Sequence, residues 1–129
     1  MLKKVVITGG EGRFAQILKR DNKKLNIIYP TKKKLNVLDV NSIKKYLKKY
    51  KPQYLIHAAA LSRPMDIHDK QVSKSIDLNI IGTANIVKVC SDLKIKLIYF
   101  STGMFMKEEL VTIKKLTPFY PLIIMLGQN

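Results

Sequence analysis

Short apolar runs alternate along the chain with segments patterned as helices. Lys3–Thr8 (KKVVIT) is a β-branched run closed by Gly9-Gly10. Arg13–Arg20 then places Phe14, Ile17 and Leu18 at i, i+3 and i+4, the stripe of an amphipathic helix. Leu25–Tyr29 is a second apolar run, stopped by Pro30, and Leu35–Val40 a third. Asn41 or Ser42 can cap a helix that continues through Tyr50 and stops before Pro52. Tyr54–Ala60 (YLIHAAA) is an apolar strand broken only by His57. Val72–Leu93 predicts one long helix, with Ile76, Asn79, Ile80, Thr83, Ile86, Val87 and Cys90 along one side. Lys96–Phe100 (KLIYF) closes the series as a strand.

Strands that are apolar throughout and alternate with helices belong to a parallel sheet covered on both faces. The expected fold is therefore α/β, a Rossmann-type doubly wound parallel sheet, truncated, entered through its glycine-rich first turn. Thr8-Gly9-Gly10-Glu11-Gly12-Arg13-Phe14-Ala15 lies between the first strand and the first helix. There Gly9 permits a tight turn, Gly12 lets the backbone approach a pyrophosphate, and Ala15 lets the helix pack closely on the sheet. Free N–H groups and the dipole at the helix start favour anions, so this turn reads as a dinucleotide-binding turn rather than a plain connection. Residues 1–103 form the expected NAD(P)-binding domain and 104–129 a separate tail.

The acid that usually binds the ribose is missing after the second strand, where Tyr29-Pro-Thr-Lys-Lys-Lys34 stands instead. Lysines there, with Arg13, can meet the 2′-phosphate of NADP, or they are solvated loop lysines; the cofactor is left as NADP or NAD. Asp39 ends the third run, from where it either reaches the adenine amino group or caps the next helix.

Composition changes this picture little. Lys and Arg total 24 against nine acids, for a net charge of +15. Such a balance suits nucleic acid. Yet 21 of the basic residues are lysines spread over almost the whole chain, together with abundant Ile and Asn, and all three have AT-rich codons. Lysine pairs such as Lys44-Lys45 and Lys48-Lys49 fall where a helix faces water, and no nucleic-acid-reading motif accompanies them, so no nucleic-acid partner is expected. One cysteine, Cys90, excludes an internal disulfide framework and a cysteine-based zinc site, and its helical position favours packing over nucleophilic chemistry. His68 has no ligand partners at metal spacing. Met1–Lys4 runs straight into a strand without a leader, and the longest apolar stretch, Phe119–Leu126, has eight residues and cannot span a bilayer. A cytoplasmic protein without membrane contact is expected.

Five ordered motifs resemble the extended short-chain dehydrogenase/reductases: Thr8–Ala15 (TGGEGRFA), Leu38-Asp39-Val40, His57–Ala60 (HAAA), Asn79 with Gly82-Thr83 (NIIGT), and Ile98–Thr102 (IYFST). The version most similar is that of dTDP-4-dehydrorhamnose reductase and related sugar-nucleotide-binding proteins. The resemblance covers residues 3–103 and implies NAD(P) binding and reduction of a nucleotide-linked keto-sugar. It implies Gly9, Gly12, Arg13 and Phe14 on the pyrophosphate side, Asp39 and Val40 at the adenine, and Ala58, Ala59 and Ala60 along the cofactor cleft. Asn79 would brace the active-site strand, and Thr102 would be the catalytic hydroxyl, with Ser101 beside it. Arg63, after the fourth strand, is a candidate for a sugar-nucleotide phosphate, whereas His57 reads as a core or cleft-wall residue.

Chemistry in that family also needs a Tyr-x-x-x-Lys pair on one helix face, where the lysine lowers the tyrosine pKa and grips the ribose. The one such pair here, Tyr29 and Lys33, precedes the third run and contains Pro30, so it is not the catalytic helix. After Gly103 the chain reads MFMKEELVTIKKLTPFYPLIIMLGQN. Reverse-translated and read one base upstream, this tail can become YVYEGGTGNYKETDPFLPLNNYAWSK, which is similar to the family's continuation and restores the pair. Loss of one T from GGT TAT GTT TAT near Gly103 suffices. The expectation is a frameshifted, non-native tail over 104–129, set against a genuine tail that covers a sheet edge or binds a partner. Two functions follow: the NAD(P)-binding part of a nucleotide-sugar reductase, catalytically incomplete in this chain, or a non-catalytic dinucleotide-binding regulatory subunit.

Overall fold

A computed structural model of the chain describes residues 3–59, 70–101 and 122–126, with side chains up to residue 99. Strand β1 (Lys4–Thr8) leads through the glycine turn into helix α1 (Arg13–Asp21). Strand β2 (Asn26–Ile28) follows, then α2 (Val40–Tyr50) and β3 (Tyr54–His57). After the undescribed residues 60–69 come α3 (Val72–Ile76), a π-helical turn (Asp77–Ile81), α4 (Gly82–Asp92) and β4 (Lys96–Ser101). Strand β5 (Leu122–Leu126) completes a five-stranded sheet of order β2-β1-β3-β4-β5.

Strands β1 to β4 pair in parallel, with Val6 opposite Ile28 on one side and Leu55 on the other, and with Ile56 opposite Ile98. Alternate side chains leave such strands on opposite faces, so each strand supplies two cores. Val6, Leu55 and Leu97 point to one face and are sealed by Ile43, Tyr46 and Leu47 of α2 and by Ile86, Val89 and Cys90 of α4. Val5, Ile7 and Ile56 point to the other, where Ala15 of α1 lies fully buried. Helices on both faces of a parallel sheet make this the doubly wound, Rossmann-like architecture expected.

Three elements differ from the expectation. Residues 35–39 form no strand. Local bonds take their place: the Lys34 and Leu35 N–H groups donate to the Thr31 carbonyl, and the Leu38 N–H to Asn36 Oδ1. Polar side chains that bond their own backbone compete with ladder pairing. The long helix is interrupted at Asp77–Ile81, where the Gly82 N–H reaches back to the Asp77 carbonyl. This wider turn shifts the buried face to Gly82, Ile86, Val89 and Cys90, and leaves Ile76, Ile80 and Val87 exposed. Finally, β5 pairs antiparallel along β4, Leu126 opposite Leu97 and Leu122 opposite Ser101, so part of the apolar tail lies on that sheet edge.

No helix among the described residues is long and apolar enough to cross a membrane. Among the same residues no three His, Cys, Asp or Glu side chains gather as metal ligands.

Candidate functional site

Parallel strands of this architecture deliver their carboxyl ends to one edge, and the connecting turns form a crevice there. In this chain a cleft of about 180 Å³ opens at the ends of β1 and β3. It is lined by Gly9, Gly10, Glu11 and Gly12, by Lys32, Leu35, Asn36 and Val37, and by Ala59 and Leu78.

The floor is the glycine turn. Gly9 adopts φ +70°, a left-handed conformation that a side chain disfavours. A Cβ there would also lie 2.9 Å from the Ala59 nitrogen and 3.0 Å from the Ala58 carbonyl carbon. The Gly12 N–H donates to the Gly9 carbonyl at 2.9 Å, and Gly12 then starts α1 without any side-chain cap. The first turn of α1 contains no acidic residue; the carboxylate that lines the cleft is that of Glu11, just before the N-cap. Gly10 is constrained by space alone, since a Cβ would meet the Pro30 carbonyl oxygen at 2.8 Å.

Thr8 ties this turn to β3. Its hydroxyl oxygen accepts the Ala58 and Ala59 N–H groups at 3.1 and 3.2 Å, and lies 2.7 Å from His57 Nδ1. Having accepted two N–H groups, the hydroxyl has its own proton left for Nδ1. That makes Nδ1 the acceptor and puts the ring proton on Nε2, which donates to Thr83 Oγ1 at 2.9 Å. Burial pushes the His57 pKa down to about 4, so the ring is neutral near pH 7. His57 is thus a buried structural histidine rather than a group facing the cleft.

The opposite wall is the turn at Leu35–Val37. The Asn36 N–H donates to Ser42 Oγ at 3.1 Å, and Asn85 Nδ2 of α4 donates to the Val37 carbonyl at 3.0 Å. Gly82 sits directly beneath, where a Cβ would come within 2.9 Å of Val37 Cγ2.

Of the residues expected from sequence, Gly9, Gly12 and Ala59 come together in the cleft. Arg13 and Phe14 begin α1 at its mouth and are exposed, while Ala58 packs beneath it in the α1-side core. Asp39 takes the capping role that was one of its two expected ones: Oδ1 accepts the Asn41 and Ser42 N–H groups at 3.0 and 3.2 Å as the N-cap of α2, and Val40 packs into the core. Asn79 lies in the π-helical turn, its Nδ2 3.3 Å from Ser75 Oγ, and lines a separate groove along α4. Ser101 ends β4 at the same sheet edge as the cleft; its side chain, and the whole of Ala60, Arg63 and Thr102, lie outside the described residues. Sequence reasoning missed Asn36, Val37 and Leu78. The first two were hidden inside a run read as a strand, and Leu78 lies in the π-helical turn, within a segment read as one regular helix. Lys32 was legible as one of three loop lysines, and it is the one that lines the cleft.

The RmlD substrate binding domain model matches residues 3–108. The chain belongs to this family. Among curated proteins it is 37% identical over 68 residues to methionine adenosyltransferase 2 subunit beta of Xenopus laevis, covering 53% of this chain and 20% of that protein. Among solved structures it is similar to dTDP-4-dehydrorhamnose reductase from Bacillus anthracis in complex with NADP, with TM-score 0.70 and 24% identity over 75% of this chain and 35% of the other. It is likewise similar to a GDP-L-fucose synthetase from Naegleria fowleri bound to NADP, with TM-score 0.61 and 26% identity over 81% of this chain and 37% of the other. The chain therefore spans about a fifth of the curated relative and about a third of these structures.

Proposed function

We propose that residues 3–103 are the NADP-binding part of a nucleotide-sugar reductase of the dTDP-4-dehydrorhamnose reductase type. One observation carries this reading: the Gly9–Gly12 turn opens α1 at the carboxyl edge of parallel strands, with a cationic side chain, Lys32, lining the same cleft. The fit is chemical as well as geometric. The turn keeps its shape because Gly9 and Gly10 pack directly on the Ala58–Ala59 and Tyr29–Pro30 backbones, and α1 begins without a capping side chain or a first-turn acid. Gly9, Gly10 and Gly12 would hold the pyrophosphate, Asn36 and Val37 the adenine side, and Lys32 a 2′-phosphate. When bound, the nicotinamide would supply hydride transfer, and the part played by the described residues would be to hold the pyrophosphate and adenosine ends of the dinucleotide. Similarity to structures that contain NADP supports the choice of cofactor.

In this reading the chain reduces no keto-sugar by itself, because no Tyr-x-x-x-Lys pair follows β4. Thr102 remains the proposed catalytic hydroxyl, Ser101 its neighbour and Arg63 a phosphate contact of the sugar nucleotide. Residues 104–129 are proposed to be out of frame, a reading that rests on the reverse-translated tail; the pairing of Leu122–Leu126 along β4 instead favours the alternative of a genuine tail covering a sheet edge. Resequencing the coding region tests the frameshift: a GGT-ATG-like junction is expected, and a stop codon in the upstream frame removes the idea. The second reading, a non-catalytic dinucleotide-binding subunit, is favoured by the relative named as a subunit of methionine adenosyltransferase.

Fluorescence titration of the 129-residue chain with NADPH and NADH tests the shared core of both readings. Saturable binding with NADPH preferred is expected; binding of neither nucleotide overturns both. Pull-down with and without residues 104–129 then separates them, since only the subunit reading gives a partner that depends on the tail.

A further inference from the structure

Helix α4 touches both walls of the cleft through residues that do not line it. Thr83 Oγ1 lies 2.9 Å from His57 Nε2, and His57 Nδ1 lies 2.7 Å from Thr8 Oγ1, which holds the Ala58 and Ala59 amides behind Gly9. Two residues along the same helix, Asn85 Nδ2 donates to the Val37 carbonyl of the facing wall, and Gly82 packs against the Val37 side chain. The His57 ring is held in plane as well, stacked on Tyr99 of β4 at 5.6 Å between centroids. The hydrogen bonds of Thr83, His57, Thr8 and Asn85 are directional, so each fixes a position rather than merely filling space.

We propose that Thr83 and Asn85 are positioning residues that set the width of the dinucleotide cleft, with His57 as a tautomer-locked pin transmitting the position of α4 to the Gly9 turn. This rests on the dinucleotide reading above and deepens it. The reason for a pin is geometric. Gly9 presses on the end of β3 with no room for a methyl group, so any slip of Ala58 and Ala59 moves the turn itself. The facing wall has no strand to hold it, since residues 35–39 pair with no neighbour in the sheet; local bonds and the burial of Leu35 and Val37 shape it, and side-chain bonds tie it to Asn85 of α4 and to Ser42. One rigid helix that grips both walls keeps their separation constant. Pre-formed spacing of this kind matters for binding, because small misplacement of a site is costly.

The test compares the full chain with Thr83→Val, Thr83→Ser and Asn85→Ala. Valine keeps the volume of threonine and removes the acceptor; serine keeps the acceptor and removes a methyl group. NADPH affinity is expected to fall about tenfold in Thr83→Val, as for loss of one buried hydrogen bond, and to stay within about threefold in Thr83→Ser. Asn85→Ala is expected to weaken binding by a similar factor while both thermal melts stay cooperative. Imidazole ¹⁵N spectra of the unaltered chain at neutral pH are expected to show His57 protonated on Nε2 only. In Thr83→Val the Gly9 and Gly12 amide resonances should move although neither residue touches position 83. Equal NADPH affinity in Thr83→Val and the unaltered chain, or a His57 proton on Nδ1, overturns the proposal. If the unaltered chain binds no NADPH, the nucleotide reading fails and the amide shifts decide: movement in Thr83→Val supports the coupling, and silence overturns it.

Discussion

Lowering the pH from about 7.5 to about 5 should destabilise this fold by about 2 kcal/mol through a single side chain, His57. The ring is held neutral by burial, which moves its pKa from 6.5 down to about 4. The sign follows from linkage. Between those two values the unfolded chain binds a proton that the folded chain refuses, so stability is fully present above 6.5 and is lost as the pH falls toward 4. Each unit of separation corresponds to about 1.4 kcal/mol, giving about 3 kcal/mol for the whole displacement and about 2 kcal/mol by pH 5. Protonation would also turn Nδ1 from an acceptor into a donor aimed at Thr8, whose hydroxyl is already the acceptor of two backbone amides. The assay is urea unfolding at both pH values for the unaltered chain and for His57→Asn. Asparagine does not titrate, so the variant should lose about 2 kcal/mol less over the interval, whatever its stability at neutral pH. His68 is common to both chains and cancels in the comparison. Parallel losses in the two proteins would refute the reasoning.

Other substitutions separate roles that proximity alone leaves mixed. Gly9→Ala places a Cβ 2.9 Å from the Ala59 nitrogen at φ +70°, and should cost at least about 1–2 kcal/mol in unfolding measurements and remove detectable NADPH binding. Asp39→Ala should lower stability by about 1 kcal/mol, the worth of an N-cap, while NADPH affinity changes by less than about threefold; a large loss of affinity with unchanged stability would return Asp39 to the adenine. Lys32→Ala should weaken NADPH binding about tenfold and leave NADH binding unchanged, as expected if this ammonium meets a 2′-phosphate.

Much of the architecture was legible in the chain because the strands are buried on both faces. VVIT, YLIH and KLIY have no polar face to dilute the signal, and each maps onto a strand of the sheet. Leu35–Val40 looks the same by composition and is not a strand, because Asn36 and Asp39 satisfy local backbone groups first. The helical stripe from Ile76 onward was misplaced for a different reason. One wide turn at Asp77–Ile81 shifts the phase of every position that follows relative to those before it, and no composition cue marks it. In α1 the sheet-facing position is Ala15, fully buried, whereas Phe14 and Ile17 are each nearly half exposed; a small residue wins where helix and sheet approach closely.

The site followed the same division. Its glycines were readable because tight turns demand them, and Ala59 because it completes a run of small residues at a strand end. The facing wall at Leu35–Val37 was not, since its place in the cleft involves bonds to Asn85 and Ser42, far away or across a turn in sequence. Cys90 was placed correctly on a packed face, and burial there pushes its thiol up to about 12, which removes it from chemistry near neutral pH.

A dinucleotide held on the glycine turn, at the edge of the parallel strands, leaves a defined footprint. In an amide-resolved NMR titration of the full chain with NADPH, saturable shifts are expected to concentrate at Gly9, Gly10, Gly12, Val37 and Ala59. Shifts confined to the groove along α4, at Ile80, Ala84 and Val87, with the glycine amides unmoved, would contradict that placement.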